Sequence, residues 1–204
     1  ERLASGAPVL PSVGWFHTFR SGADIAFSSD PDPRREYLRW QVRETAARSW
    51  QNGLWWGNDP DALLVREPFT EGEAGGSIVA NVISGGAWLL GDDLPLVDSA
   101  RIDAALDPAL LSTMGRTTTP IDPLAWPSGF EIGPILEPIN DDDQTPVQWS
   151  LGAGTVAFLN MGDATIDVDV SEGRELLSGQ QHDGGSWALP AGHGAVFELM
   201  FQED

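Results

Sequence analysis

The sequence predicts an α/β region followed by an antiparallel β-sandwich. Before about residue 116, amphipathic helical patterns alternate with short apolar segments, which is typical of βα units around a parallel sheet. After residue 117, a proline-rich stretch leads into short alternating segments separated by turn signals, which is typical of antiparallel strands. We therefore predict two domains, 1–116 and 117–204.

The first predicted helix begins near Asp32, an N-cap residue followed by Pro33 at the first helical position. Leu38, Val42 and Ala46 form an apolar stripe at helical spacing. The sequence Asn-Gly at residues 52–53 ends the helix, and an apolar strand is expected at residues 54–58.

A second helix is predicted from Thr70 and Glu73, which have the spacing of a capping box. A buried strand at residues 87–90 and a third helix near residues 98–106 should follow. The β-sandwich is predicted from six segments: 147–150, 154–160, 165–170, 174–177, 186–189 and 194–201.

The composition restricts the possible partners. Eleven basic residues, all of them arginine, stand against 31 acidic residues, so the formal net charge is −20. Nucleic acid and anionic membrane surfaces would repel such a chain. No apolar run approaches the ~18 residues of a membrane span, and no signal peptide is recognised. We expect a soluble protein, cytoplasmic or secreted, that acts on an uncharged substrate.

Metal and thiol chemistry find little support in the sequence. The chain has no cysteine. His17, His182 and His193 lack the spacing of a zinc site. Residues 141–143 are three consecutive aspartates, which would suit calcium but are more typical of a solvated loop. Hence no metal and no cofactor are expected.

Five stretches together resemble the C-terminal half of a glycoside hydrolase family 36 α-galactosidase. They are residues 5–8 (Ser-Gly-Ala-Pro), 20–24 (Arg-Ser-Gly-Ala-Asp), 58–61 (Asn-Asp-Pro-Asp), 84–94 and 189–194. The resemblance covers most of residues 4–100 and the last turn of the β-domain. It implies the late strands of a (β/α)8 TIM barrel followed by a β-sandwich, with hydrolysis of terminal α-linked galactose.

The resemblance also implies residue roles in a retaining mechanism with two carboxylates. Asp24 matches the acid/base, and its apolar sequence neighbours would raise the pKa of its carboxyl group. Arg20 matches the arginine that holds sugar hydroxyls, and Ser5 and Gly6 match the lining of the galactose pocket.

Residues 58–61 come directly after an apolar, tryptophan-rich segment, where a barrel presents its chemistry. Asp59 and Trp56 are therefore possible pocket residues. Asp92 and Asp93 are predicted to bond backbone N–H groups of a loop.

The family nucleophile lies on an earlier strand in a lysine-containing segment, and this chain has no lysine. Only about 115 residues are left for a barrel that needs at least ~200. We therefore expect a second polypeptide that carries the N-terminal half; an oligomer is also possible. Two alternatives stay open: an α-N-acetylgalactosaminidase or galactosyltransferase of the same family, and a non-catalytic carbohydrate-binding fragment.

Overall fold

The computed structural model describes residues 35–52, 58, 60–121 and 145–200. Within these ranges no helix is long and apolar enough to cross a membrane. From residue 35 to residue 111, the described residues form four helices and two strands. They are α1 (Arg35–Arg48), β1 (Ala62–Leu63), α2 (Glu71–Ser84), β2 (Leu89–Leu90), α3 (Ser99–Ala105) and α4 (Pro108–Leu111), with 3₁₀ turns at Ser49–Gln51 and Leu94–Leu96.

Helix α2 begins as its sequence predicts. The Thr70 hydroxyl accepts a hydrogen bond from the Glu73 N–H, and the Glu73 carboxylate accepts one from the Thr70 N–H. Gly85 ends the helix in the left-handed conformation, with φ of 61°. The predicted helix near residues 98–106 is also present, as α3, and Asp98 caps its N-terminus.

Helix α2 connects two short strands that pair in parallel. Ala62 pairs with Leu89 and Leu63 with Leu90, so β1, α2 and β2 form one βαβ unit. The strand predicted at residues 87–90 is shorter than expected, since only its last two residues have strand pairing. Of the strand predicted at residues 54–58, only Asn58 is described, and it is not in a strand.

The β-domain contains a strand in every one of the six predicted segments. It also contains two strands of two residues each that the sequence analysis missed. Among the described residues, the strands are β3 (Thr119–Pro120), β4 (Gln148–Ser150), β5 (Thr155–Leu159), β6 (Ile166–Val170), β7 (Gly173–Glu175), β8 (Gln181–His182), β9 (Gly185–Leu189) and β10 (Gly194–Leu199).

The strands form one large sheet and one small sheet, both antiparallel. The large sheet has the order β3-β4-β5-β10-β7-β8, and the small sheet is the pair β6-β9. Phe158 and Phe197 of the large sheet pack against Val168 and Leu189 of the small sheet. The β-sandwich prediction is thus only partly right, because the second layer has just two strands in the part of the chain that the structure describes.

Helix α2 covers the other face of the large sheet. Alternate residues Ala157, Leu159 and Val196 join the same apolar core as Val79 and Ile83 of α2. The approach is close at Gly76, where a Cβ atom would lie 2.1 Å from the Gly192 carbonyl oxygen. A single core therefore joins the βαβ unit to the β-domain.

Charged groups add to this junction at its edge. Arg39 donates to Met161 O at 2.6 Å and to the Asp163 carboxylate at 2.6 Å. Arg35 bridges the Asp163 carboxylate at 3.4 Å and the Glu73 carboxylate at 2.8 Å. The network links α1, the start of α2 and the loop after β5.

Acid should weaken this network through Glu73. Burial raises the pKa of Glu73, but the Thr70 N–H and the Arg35 guanidinium together hold it below its usual value. A lowered folded-state pKa adds stability above the unfolded-state pKa of about 4.3, and this stability is lost as the pH falls through the folded value. Glu73→Gln should therefore lower the free energy of unfolding at pH 7 by up to about 1 kcal/mol.

Urea unfolding at pH 7 and at pH 4 measures this effect. The difference between the wild type and Glu73→Gln should shrink at the lower pH. Glu71→Gln is the matched control, because it removes the same charge from the same first turn of α2. A difference that is equal at both pH values would contradict the assignment.

Candidate active site

Six residues were predicted for the site, and all lie outside the described residues: Ser5, Gly6, Arg20, Asp24, Trp56 and Asp59. The structure therefore does not test their placement. It does describe other residues of the same motif, namely Asn58, Pro60 and Asp61, together with the chain that follows. We call residues 58–66, which include the two-residue strand β1, the motif loop.

Asn58 fixes the start of the motif loop. Its backbone N–H donates to Asn52 Oδ1 at 2.8 Å, its side-chain Nδ2 donates to Ser84 O at 3.0 Å, and its carbonyl accepts from the Ala87 N–H at 3.1 Å. A Cβ atom on Gly86 would lie 2.1 Å from this carbonyl oxygen. The buried asparagine thus ties the loop to the end of α2 and to the approach to β2.

Asn52 extends these bonds to the next part of the chain. Its Nδ2 donates to Gly85 O at 3.0 Å and to Arg116 O at 3.2 Å. The sequence analysis used Asn52 only as a helix-ending residue and missed this role. The repetition of Asn at positions 52 and 58, on either side of an apolar segment, was the available signal.

The centre of the motif loop has an uncommon backbone conformation. Asp61 has a φ of 67°, in the left-handed region that few residues other than glycine adopt. Its Oδ1 accepts a hydrogen bond from the Ala62 N–H at 2.8 Å, and Gln41 Nε2 of α1 donates to Pro60 O at 3.1 Å. Such conformations persist only where the surroundings enforce them, and they are common at functional sites.

Asp92 fixes the end of the motif loop from the segment after β2. Its side chain is 0% exposed and lies against Arg66 Nη1 at 2.7 Å. Its Oδ2 accepts from the Val65 N–H at 2.7 Å and from the Arg66 N–H at 3.1 Å. The prediction that Asp92 bonds backbone N–H groups is confirmed, whereas the Asp93 side chain accepts no such bond at the turn that it precedes. Arg101 of α3 completes the support by donating to Val65 O at 2.7 Å.

Removing the Asp92 carboxylate should loosen the motif loop. Asp92→Ala leaves two backbone N–H groups and one guanidinium without their buried acceptor, so we expect the free energy of unfolding to fall by about 2–3 kcal/mol. Urea unfolding measures the loss, and hydrogen exchange at the Val65 and Arg66 amides locates it. Asp93→Ala is the control, since its side chain caps nothing at the following turn. Unchanged exchange at both amides would contradict the role of Asp92.

No group of three or more His, Cys, Asp or Glu side chains that would hold a metal ion occurs among the described residues. The motif loop is instead held by amide groups, one buried carboxylate and arginines. Its described residues are thus held at the start, near the centre and at the end. Residues 58–61 precede β1, so their expected position at the carboxyl end of a strand stays a prediction.

Several solved glycoside hydrolases share this fold. A family 27 β-L-arabinopyranosidase from Geobacillus stearothermophilus, in complex with arabinose, matches 96% of this chain and 50% of its own length, with a TM-score of 0.66 and 13% identity. The α-galactosidase I of Mortierella vinacea matches 78% of this chain and 43% of its own, with a TM-score of 0.56 and 14% identity. No family model matches the chain.

An isomalto-dextranase from Arthrobacter globiformis T6, complexed with panose, is also similar, with a TM-score of 0.51 and 15% identity over 76% of this chain. At these identities the likeness shows the fold alone. These glycoside hydrolases consist of a TIM barrel and a C-terminal β-domain. This chain shares part of that fold and spans half or less of their length. The likeness thus supports the predicted fold, whereas the assignment to family 36 stays a prediction.

Proposed function

We propose that this chain is the acid/base half of a retaining glycoside hydrolase that releases terminal α-linked galactose. The observation that carries the proposal is the Asn-Asp-Pro-Asp motif, whose described residues form a braced loop in a fold shared with α-galactosidases. A braced loop suits a pocket wall, because sugar binding requires side chains that are already in position. Asp59 and Trp56 belong to the same segment and are proposed to contact the sugar.

In the proposed mechanism, Asp24 protonates the leaving oxygen and then activates a water molecule. Arg20 holds sugar hydroxyls, and Ser5 and Gly6 line the pocket. The nucleophilic carboxylate that attacks the anomeric carbon is proposed to lie outside residues 1–204, in the N-terminal half of the fold. No cofactor is required, since two carboxylates suffice for the reaction.

The proposed substrate is chosen by comparing the ring stereochemistry of two sugars. β-L-Arabinopyranose has the ring configuration of α-D-galactose without the exocyclic hydroxymethyl group, so one pocket shape suits both sugars. We propose the galactoside as substrate. An α-N-acetylgalactosaminidase or galactosyltransferase is the alternative within the same class, because small residues at Ser5 and Gly6 leave space near the sugar.

The experiment uses the native preparation that contains this chain. Native mass spectrometry should show a species heavier than the 21.9 kDa of the chain. That species is assayed with 4-nitrophenyl α-galactoside, its N-acetyl analogue and the β-L-arabinopyranoside, and NMR follows the anomer released first. Fastest turnover of the galactoside with release of the α anomer supports the proposal, and release of the β anomer refutes retention.

A second candidate is a non-catalytic carbohydrate-binding fragment. It is favoured by the absence of lysine and of the segment that would carry the nucleophile. Galactose binding by a 21.9 kDa monomer without any turnover would establish this candidate and exclude the first.

A further inference from the structure

Gln41 places a buried amide group against the motif loop. It lies on α1 and is 6% exposed. Its Nε2 donates to Pro60 O at 3.1 Å in a buried hydrogen bond. An apolar side chain would pack at this position without the cost of desolvating an amide. The polar side chain therefore serves one specific contact, with the carbonyl group that precedes Asp61.

Helix α1 presents this amide from a fixed position. Arg39, two residues before Gln41, donates to Met161 O at 2.6 Å. Leu38 and Val42, on either side of this pair, are buried in the core that α1 shares with α2 and the β-domain. Because the helix is anchored in this way, the bond to Pro60 O restrains the loop.

The bond acts next to the residue with the left-handed backbone. The φ of Asp61, 67°, describes the rotation between its Cα and the Pro60–Asp61 peptide. Turning this peptide over would bring φ to a negative, unstrained value and would move the Pro60 carbonyl away from Gln41. The cost of one left-handed aspartate and the gain from one hydrogen bond are similar in size. The single bond from Gln41 is thus strong enough to decide between the two orientations.

The two orientations present opposite groups on the side of the loop that faces away from α1. The N–H and C=O groups of a trans peptide point in opposite directions. With the Pro60 oxygen directed towards Gln41, the Asp61 N–H points away from the helix. The turned peptide would place a carbonyl oxygen there instead. Any group that bonds to the loop from that side would then meet an acceptor in place of a donor.

We propose that Gln41 is a positioning residue for sugar binding, which keeps the motif loop in its binding-competent orientation through Pro60 O. The inference rests on the proposed function in taking the motif loop to be part of the pocket wall. Gln41 acts through the backbone of the loop and does not touch the sugar.

The proposal separates KM from kcat. When only a fraction of the molecules has the competent orientation, the apparent affinity for substrate falls by that fraction. Bound substrate keeps the loop in the competent orientation, so turnover at saturation is unchanged. Gln41→Met keeps the length of the side chain and removes the donor. In the native preparation, we expect it to raise KM for 4-nitrophenyl α-galactoside about tenfold and to change kcat by less than about twofold.

Thr45→Val is the matched control. Thr45 lies one turn further along α1 and is 1% exposed, and its hydroxyl group has no hydrogen-bond partner in the part of the chain that the structure describes. The substitution also replaces a buried polar group by an apolar one, but it breaks no contact with the motif loop. KM should therefore stay at the wild-type value. A general loosening of α1 would instead lower the amount of active protein, and hence the apparent kcat, in both variants.

Crystal structures of the two variants test the loop independently of turnover. In Gln41→Met the φ of Asp61 should become negative in part or all of the molecules, whereas in Thr45→Val it should stay near 67°. An unchanged loop in Gln41→Met would overturn the proposal, and so would a rise in KM that Thr45→Val shares. A turned loop with an unchanged KM would overturn the role in sugar binding.

Failure of the proposed function gives a different result. If the wild-type preparation binds galactose without turnover, the hydrolase is refuted, and the tenfold effect of Gln41→Met is then expected in the Kd for galactose. A wild-type preparation that neither binds nor hydrolyses a galactoside would refute both the proposed function and the positioning role.

Discussion

Asp24→Asn is expected to lower kcat for an α-galactoside with a poor leaving group by about 10²–10⁴-fold, the range found for removal of a general acid/base. Asparagine keeps the size of aspartate but neither donates a proton to the leaving oxygen nor takes one from water. The loss should be smaller for the first step of an activated aryl galactoside, because a phenolate of low pKa leaves without protonation. This dependence on the leaving group is the measurement that identifies an acid/base.

A purely structural role for Asp24 would reduce turnover of both substrates equally. Asp30→Asn is the matched control, since it removes one carboxylate six residues away and outside the motif at residues 20–24. It should leave the ratio of the two substrates unchanged. A uniform loss of kcat/KM, which reports the first step, would contradict the acid/base role of Asp24.

Local sequence signals predicted much of the fold. The start of α2 depends on contacts between residues three positions apart, so Thr70 and Glu73 were sufficient to place it. The six β-domain segments were visible because turn residues separate apolar alternation. Strands β3 and β8 were missed because two residues cannot show an alternation, and β3 also pairs with β4, which is about 30 positions away.

Most of the hydrogen bonds that hold the motif loop could not be predicted from the sequence. Gln41 of α1 donates a hydrogen bond to Pro60 O, which lies 19 positions away in the sequence. Arg101 of α3 donates one to Val65 O, which lies 36 positions away. Neither residue carries a local pattern that distinguishes it from an ordinary surface residue. Asp92 was predicted correctly because an aspartate after a strand and a glycine has few roles other than bonding nearby N–H groups.

The position of α2 explains how these supports act together. One side of the helix meets the large sheet of the β-domain, and its C-terminal end holds Asn58 through Ser84 O. The same helix therefore contacts both the β-domain and the start of the motif loop.

Glu175→Ala should cause the largest loss of stability, about 3 kcal/mol, because it removes the shared acceptor of the buried Val196 N–H and of the partly buried bonds from Leu177 and Ser178. Glu175 is 3% exposed. Its Oε1 accepts from the N–H groups of Leu177 and Val196 at 3.0 and 3.2 Å, and its Oε2 accepts from the N–H and the hydroxyl of Ser178, both at 2.6 Å. These backbone donors stay in place after the substitution.

The measurement is urea unfolding of Glu175→Ala, with Glu175→Gln and Glu198→Ala for comparison. Glutamine keeps one acceptor oxygen but turns an NH₂ group towards the remaining donors, so it should lose about half as much. Glu198 is exposed on the neighbouring strand β10, where it lies opposite Arg174 in the strand register. Its removal therefore changes the net charge equally but leaves no buried donor without an acceptor. If Glu175→Ala lost no more than Glu198→Ala, water would have replaced the carboxylate, and the turn from β7 to β8 would be held by its backbone alone.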